Sequence, residues 1–227
     1  MATKIITDIM GTVTPDAFMK DMMADFAKHG PDYIRATGNT RSAQALARIR
    51  EVKQADLTPE QIVQDAMSVF AARDFANPLF NTYLDISGAV NSEGYRTGRL
   101  VTPFYDDVHP AFAGWKQNGK GIWVYSNGSE ESQREMFRSG SNKLTPFVSE
   151  FLDTQKWGDK GKPDSYKKIA EHLQEDPRNI AFFSDLTREL DPASQVGYNA
   201  FLVSRPGNRP QPENSYKTIK SLLEAQV

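Results

Sequence analysis

The sequence predicts an α/β fold: a parallel sheet covered by helices on both faces, with an all-helical block inserted after the first strand. Three observations carry this. A short β-branched run, Ile5-Ile6-Thr7, ends in Asp8 and breaks at once into Gly11-Thr12-Val13-Thr14-Pro15, so a buried strand feeds a loop. From about residue 100 onward, short apolar strands alternate with amphipathic helices, as in a parallel sheet. Between these regions, residues 19–99 show helical periodicity and almost no strand signal. The expected division is a core of residues 1–18 and 100–227 and a helical block of residues 19–99.

Residues 3–8 form the first strand. Residues 17–29 place Phe18, Met22 and Phe26 at helical spacing, and Gly30-Pro31 is expected to stop that helix. A second helix covers 41–53, with Ala45, Leu46, Ile49 and Val52 on one side. Thr58-Pro59-Glu60-Gln61 is a helix start, with Thr as N-cap, Pro at the first position and Gln three residues after the Thr. Ile62, Ala66, Val69 and Phe70 supply its apolar face, and a further helix is expected over 77–87. The core then reads as helix 108–117, strand 121–126, helix 130–138, a strand over 147–152 ending at Asp153, and helix 164–173. Strand 180–184 ending at Asp185, helix 187–196, strand 199–203 and a last helix over 215–224 complete it.

Composition excludes several kinds of chemistry. The 227 residues are 39% hydrophobic and 25% charged, ordinary for a globular chain. A net charge of −2 gives no electrostatic reason to expect nucleic acid or an anionic membrane surface. With no Cys, disulfides, thiolate metal sites and Cys nucleophiles are out, and a reducing cytoplasm fits. The three His, at 29, 109 and 172, are too scattered for a His-based zinc site. No basic segment followed by a long apolar run opens the sequence, and no stretch reaches a membrane span, so no signal peptide and no membrane anchor are expected.

Four strands end in polar residues: Asp8, Ser126, Asp153 and Asp185. In a parallel sheet those ends share one edge, beside helix N-termini. That edge suits a phosphate, which takes free N–H groups, and a hard cation such as Mg²⁺, which takes one or two carboxylates and substrate phosphate.

Asp8-Ile9-Met10-Gly11-Thr12, Tyr125-Ser126-Asn127-Gly128-Ser129, the Lys160/Lys162 segment and Ser184-Asp185-Leu186-Thr187-Arg188-Glu189 resemble the four ordered motifs of the haloacid dehalogenase superfamily. More narrowly the chain resembles the enolase-phosphatases, the acireductone synthases of methionine salvage. Ser165-Tyr166-Lys167-Lys168-Ile169-Ala170, Arg205-Pro206-Gly207-Asn208 and Glu93-Gly94-Tyr95-Arg96-Thr97-Gly98 match that family's further motifs, and the likeness runs nearly end to end. It implies a Rossmann-like core with a helical cap that closes over the substrate. It implies a Mg²⁺-dependent conversion of a small phosphorylated diketo metabolite, 2,3-diketo-5-methylthiopentyl-1-phosphate, to the acireductone, by enolisation and then dephosphorylation. A cytoplasmic monomer is expected.

The resemblance also distributes roles. Asp8 is the expected nucleophile, forming an aspartyl-phosphate. Ser126 and Asn127 hold phosphate, Asn127 standing where the family has Ser; Ser126 also reads as a helix cap. Lys160, six residues before Tyr166, is preferred as the phosphate lysine, with Lys162 as runner-up. Asp8, the Met10 carbonyl and Asp185 are the expected Mg²⁺ ligands, with Glu189 nearby, although Glu189 equally reads as a helix N-terminal carboxylate. Glu93, Tyr95 and Arg96 are candidates for substrate contact, Tyr95 equally a packing aromatic. Met10 is the departure: the family has Glu there as acid and base, and a thioether carries no titratable proton. Two readings stay open, an enzyme slowed by Met10 and a phosphometabolite-binding protein without turnover. A phosphatase for another small ester is a third. Spacing selects no base for the enolisation.

Overall fold

The computed structural model describes residues 1–36, 40–72, 74, 76–140 and 143–227, the side chains of 40–42 excepted. It contains two compact units, Met1–Phe18 with Thr102–Val227, and Met19–Val101.

The first unit is built on a six-stranded sheet of β1 (Lys4–Thr7), β2 (Gly121–Ser126), β3 (Glu150–Asp153), β4 (Ile180–Ser184), β5 (Asn199–Val203) and β6 (Lys217–Ile219). All its pairings are parallel, in the order β3-β2-β1-β4-β5-β6. The expected α/β class is therefore the observed one. β1 lies inside, Thr7 opposite Val124 on one side and Phe183 on the other. The chain leaves β1 for β2 on one side and reaches β4 on the other, so strand order reverses at β1. Ligands in such sheets bind where that happens, beyond the strands' C-terminal ends.

Alternation along β4 sends successive side chains to opposite faces. Phe182 packs with Tyr166, 5.3 Å between ring centroids, in a buried cluster with Ile169, Leu190 and Tyr198. Those come from α8 (Pro163–His172), α9 (Thr187–Val196) and the residues after them. Phe183 stacks on Trp115 of α5 (Val108–Gln117) and on Phe201, at 5.4 and 4.8 Å. α6 (Glu130–Ser139) and α7 (Thr154–Trp157) flank β3.

The second unit holds α1 (Phe18–Ala36, its first residue belonging to the sheet unit), α2 (Thr40–Lys53), α3 (Pro59–Ala72) and α4 (Phe80–Thr97). Phe26, Ile34, Ile49, Ile62, Val63, Tyr83, Ile86 and Val90 form its core. The expected capping box is present: Gln61 N–H donates to Thr58 Oγ1 at 3.3 Å and Thr58 N–H to Gln61 Oε1 at 2.8 Å.

Four expectations are corrected. Pro31 does not stop α1, which runs through it. Phe26, Gly30 and Ile34 continue one stripe past it, and Gly30 comes so close to Val63 that a Cβ there would lie 2.8 Å from Cγ2. Packing of that stripe outweighs the penalty of an interior proline, a lost backbone bond and a ring clash together worth about 3 kcal/mol. The helix expected over 77–87 continues to Thr97, with its polar Ser87, Asn91 and Ser92 buried. Ser92 satisfies its hydroxyl on Gly88 C=O at 2.7 Å, so polarity there was no stop signal. The strand expected over 147–152 begins only at Glu150, after a 3-10 turn at Thr145–Phe147. The helix expected over 215–224 is instead β6 and a 3-10 turn at Leu222–Glu224. The open edge of β5 captures Lys217–Ile219, and Asp107 accepts from Leu222 N–H at 2.6 Å.

Candidate active site

Asp8 follows β1 directly, and its N–H extends the ladder to Phe183 C=O at 2.8 Å. Asp185 follows β4. Register therefore brings the two carboxylates to adjacent strand ends, each residue 7% exposed. The loop after Asp8 is knotted on one oxygen: Ile9 C=O accepts from the N–H groups of Thr12, Val13 and Thr14 at 3.2, 2.9 and 3.1 Å. Gly11 is required there, at φ +71° with Asp185 Oδ2 only 2.4 Å from where a Cβ would stand.

Lys160 comes from the loop after α7. It is 2% exposed, and its ammonium donates to Asp8 Oδ1 at 2.5 Å and lies 2.6 Å from Glu189 Oε2. Tyrosines fix its stem. The Tyr166 hydroxyl donates to Lys160 C=O at 2.9 Å, Tyr125 to Gly158 C=O at 2.6 Å, and Tyr198 to Tyr166 C=O at 2.7 Å. Glu189 also accepts from Ser184 Oγ at 2.9 Å.

The electrostatics follow from burial. Asp8 is pushed up to about 6 by desolvation, against which Lys160 pulls down and Glu189 pushes up. Asp185 is pushed up to about 8, by desolvation first and then by the charges of Asp8 and Glu189. Burial opposes the charge on Lys160, but Asp8 and Glu189 outweigh it and raise its pKa. Among the described residues, no donor satisfies the Asp185 carboxylate and none donates to the Met10 carbonyl. No group of three His, Asp or Glu side chains gathers among the described residues to hold a metal. Mg²⁺ does not need one, since it binds through one or two carboxylates and keeps waters. Two adjacent desolvated carboxylates, one without a counter-charge, fit a hard cation at Asp8, Asp185 and the Met10 carbonyl.

The structure thus brings Asp8, Lys160, Asp185 and Glu189 together, with Ser126 and Asn127 half-buried at and beyond the end of neighbouring β2. Glu189, expected beside the cation, is committed to Lys160 and Ser184, because the first turn of α9 folds it back against the end of β4. Lys162 is exposed at the cap position of α8, two residues past the buried lysine. Asp153, expected in the convergent row, is a helix cap: it accepts from Lys156 N–H at 2.8 Å and Glu130 N–H at 3.3 Å. In the helical unit, Glu93 and Arg96 are exposed on α4, whereas Tyr95 is buried. Sequence reasoning missed the tyrosine frame around Lys160. The only signal was that Tyr125 and Tyr166 fall inside motifs that carry polar site residues.

Comparison with known proteins agrees. A sequence model of the haloacid dehalogenase-like hydrolases matches residues 5–197. The chain belongs to that family. Curated relatives include several enolase-phosphatases. Enolase-phosphatase E1 of Persephonella marina is 32% identical over 97% of this chain and 97% of its own length. The protein of that name in Streptomyces avermitilis is 35% identical over 89% and 85%, and that in Drosophila grimshawi 31% over 97% and 94%. Among solved structures, UTR4 protein from Saccharomyces cerevisiae matches with a TM-score of 0.74 and 25% identity, over 99% of this chain and 100% of that one. A HAD phosphatase from Thermococcus onnurineus matches at 0.66 with 15% identity over 99% and 95%, a likeness of fold. The chain is an enzyme of the phosphohydrolase class, related to the enolase-phosphatases.

Proposed function

We propose that this chain is a Mg²⁺-dependent enolase-phosphatase that takes 2,3-diketo-5-methylthiopentyl-1-phosphate to the acireductone, with release of the phosphoryl group as its slow step. The observation that carries the reading is the buried Asp8, bound by Lys160 at one oxygen and beside Asp185, in a chain akin to enolase-phosphatases.

Lys160 occupies Asp8 Oδ1 and leaves Oδ2 as the attacking oxygen. Oδ2 bonds to phosphorus as the bond from phosphorus to the C1 oxygen breaks, and the electron pair departs on that oxygen. Enolisation first conjugates this oxygen with the C3 ketone, so it leaves as a stabilised enediolate that needs little protonation. Lys160 meets the transferring phosphoryl group as a compact charge, and Ser126 and Asn127 supply hydrogen bonds to its oxygens. Asp8, Asp185 and the Met10 carbonyl would hold Mg²⁺, which supplies charge neutralisation at the phosphoryl oxygens. The second half-reaction is harder. Water must attack the aspartyl-phosphate and surrender a proton, and Met10 cannot take it. Glu189 is already engaged by Lys160 and Ser184. A positioned acid–base group is worth about 10²–10⁴-fold, so the phosphorylated protein accumulates.

Met10 also favours a second reading, a binding protein for the same metabolite. One assay decides. Acireductone formation from the diketo phosphate with Mg²⁺ should show a burst of about one equivalent, then proceed at the rate of slow phosphate release, with intact mass raised by one phosphoryl group. Neither burst nor adduct in a protein that binds the compound would establish the binding reading; faster release from another small ester would redirect the substrate. The same reading has a monomer at work in the cytoplasm on a small metabolite, with no part for nucleic acid or membrane. Among the described residues no helix is long and apolar enough to cross a bilayer.

A further inference from the structure

A second polar network gathers behind the loop that follows β1. It comes from the segment just after β5, Arg205-Pro206-Gly207-Asn208. The Arg205 side chain is 4% exposed, and each of its nitrogens is used: Nε donates to Thr12 C=O at 3.1 Å, Nη1 to Lys220 C=O at 2.8 Å, and Nη2 to Asp107 Oδ2 at 2.9 Å. The guanidinium also lies over the Tyr105 ring, 4.4 Å from its centroid. Asn208 Nδ2 donates to Gly11 C=O at 2.9 Å and to Val203 C=O at 3.2 Å. Asp107 is itself braced, accepting from Ser221 Oγ at 3.0 Å and Leu222 N–H at 2.6 Å.

Two consecutive carbonyls, Gly11 and Thr12, are therefore gripped by two side chains nearly two hundred positions away in the chain. The loop's own hydrogen bonds turn inward on Ile9 C=O and do not restrain these outward carbonyls. The two gripped peptides follow directly on the Met10–Gly11 peptide, and a Cβ on Gly11 would stand 2.4 Å from Asp185 Oδ2. The orientation of Asn208 is not arbitrary. Both its partners are acceptors, so Nδ2 must face them, and Oδ1 is then buried with no hydrogen-bond partner. A buried amide with an unpaired oxygen is costly for stability. Its placement is explained by what the other end holds.

We propose that Arg205 and Asn208 are positioning residues: they lock the segment from Met10 to Thr12 so that Asp8, the Met10 carbonyl and Asp185 present one arrangement to a divalent cation and a phosphoryl group. The inference rests on the cation reading of the preceding subsection. Groups that orient metal ligands typically change metal affinity or activity by about 10–100-fold when removed.

The test uses Mn²⁺ as the probe, followed by loss of its free-ion EPR signal, on the whole chain and on Asn208→Ala, Asn208→Asp and Arg205→Lys. Asn208→Ala removes the grip together with the orphaned oxygen, so the melting temperature of the metal-free protein should move little. Its Mn²⁺ affinity should fall about 10-fold, and kcat should fall while KM for the diketo phosphate stays within about 2-fold, because the phosphate-binding groups are untouched. Asn208→Asp sets a carboxylate against two carbonyls and should weaken Mn²⁺ further. Arg205→Lys can reach one partner in place of three; if it fails to fold, Asn208→Ala still decides. Variants that bind Mn²⁺ and turn over like the unmodified chain, with only their melting lowered, would overturn the positioning role and leave the site reading intact. An unmodified chain that binds no Mn²⁺ would overturn both.

Discussion

Asp8 and Asp185 sit side by side at the same sheet edge, equally buried, in opposite circumstances. Asp8 has a cation built into the chain: the ammonium of Lys160 at 2.5 Å, itself held from behind by Glu189. Asp185 has no such partner among the described residues, and the charges of Asp8 and Glu189 push its pKa up against the weaker pull of Lys160. Burial raises both, but Asp8 only to about 6 and Asp185 to about 8. The lesson is that one half of the site is neutralised by its own side chains, whereas the other half waits for a charge from outside. A phosphohydrolase needs this asymmetry, because a fully self-paired cluster would have no affinity for a cation that arrives with a phosphate.

The largest expected effect comes from adding a carboxyl on the waiting side. Met10→Glu should raise steady-state phosphate release by about 10²–10⁴-fold, the ordinary value of a positioned acid–base group. The phosphoryl adduct should then disappear from the intact-mass spectrum. An unchanged rate with the adduct still present would mean that deprotonating water is not the slow step.

Removing the internal cation should come next. Lys160→Met leaves Asp8 and Glu189 buried with no counter-charge, and breaking a buried pair in this way costs about 3–5 kcal/mol. At about 2–4 °C per kcal/mol for a chain of this size, calorimetry should register a fall in melting temperature of roughly 6–20 °C. Adding Glu189→Gln should recover part of that stability and none of the turnover. A Lys160→Met protein as stable as its parent would refute the pairing.

The waiting side makes a prediction about pH. A carboxyl whose folded pKa lies above its unfolded value near 3.8 keeps its proton longer in the folded state. Stability is therefore full at low pH and is lost as pH rises through the folded values, here about 6 and about 8. Asp107, held low chiefly because Arg205 outweighs its burial, acts below that window, and Lys160 acts above it. In chelator the melting temperature should fall between pH 5 and pH 9; saturating Mg²⁺ should flatten the fall and, at about 100 times Kd, add about 2.7 kcal/mol. A flat profile in chelator would show that neither carboxylate is strained.

The convergence of these strand ends, though not their asymmetry, was legible before the structure, and the reason is local. Asp8, Ser126 and Asp185 each end a short apolar strand, and strand ends in a parallel sheet share one edge whatever lies between them. Spacing favoured Lys160, six residues before Tyr166, over Lys162; what spacing did not carry is the frame of Tyr166, Tyr125 and Tyr198, from separate elements, that holds the Lys160 loop. The pairing of Glu189 was not legible for a related reason: its sequence position suits either the cation or Lys160, and the structure sets it against Lys160 and Ser184. The last helix failed differently. Residues 215–224 have helical spacing of Tyr216, Ile219 and Leu222, but an unpaired β5 edge and the Asp107 carboxylate offered the backbone better partners. Pro31 marks the converse case, a true breaker overruled by a packed stripe.

The smallest effect concerns how near the two halves stand. Gly11 separates the knotted loop from Asp185, at φ +71° and with no room for a Cβ against Oδ2. Gly11→Ala must adopt a left-handed backbone with a side chain and push the Asp185 carboxylate away. The backbone strain alone is of order 1–3 kcal/mol, so thermal melting should drop by only a few degrees. The consequence for the site is directional. Asp185 is the partner that moves, and Asp8 with Lys160 stays. Mn²⁺ affinity should therefore suffer, while an anion such as inorganic phosphate, for which Lys160, Ser126 and Asn127 are the proposed partners, should bind nearly as before. If both ligands weaken together, the two halves are one rigid unit. If only the cation does, they are separable, and the carboxylate without a partner is the half that responds to what binds.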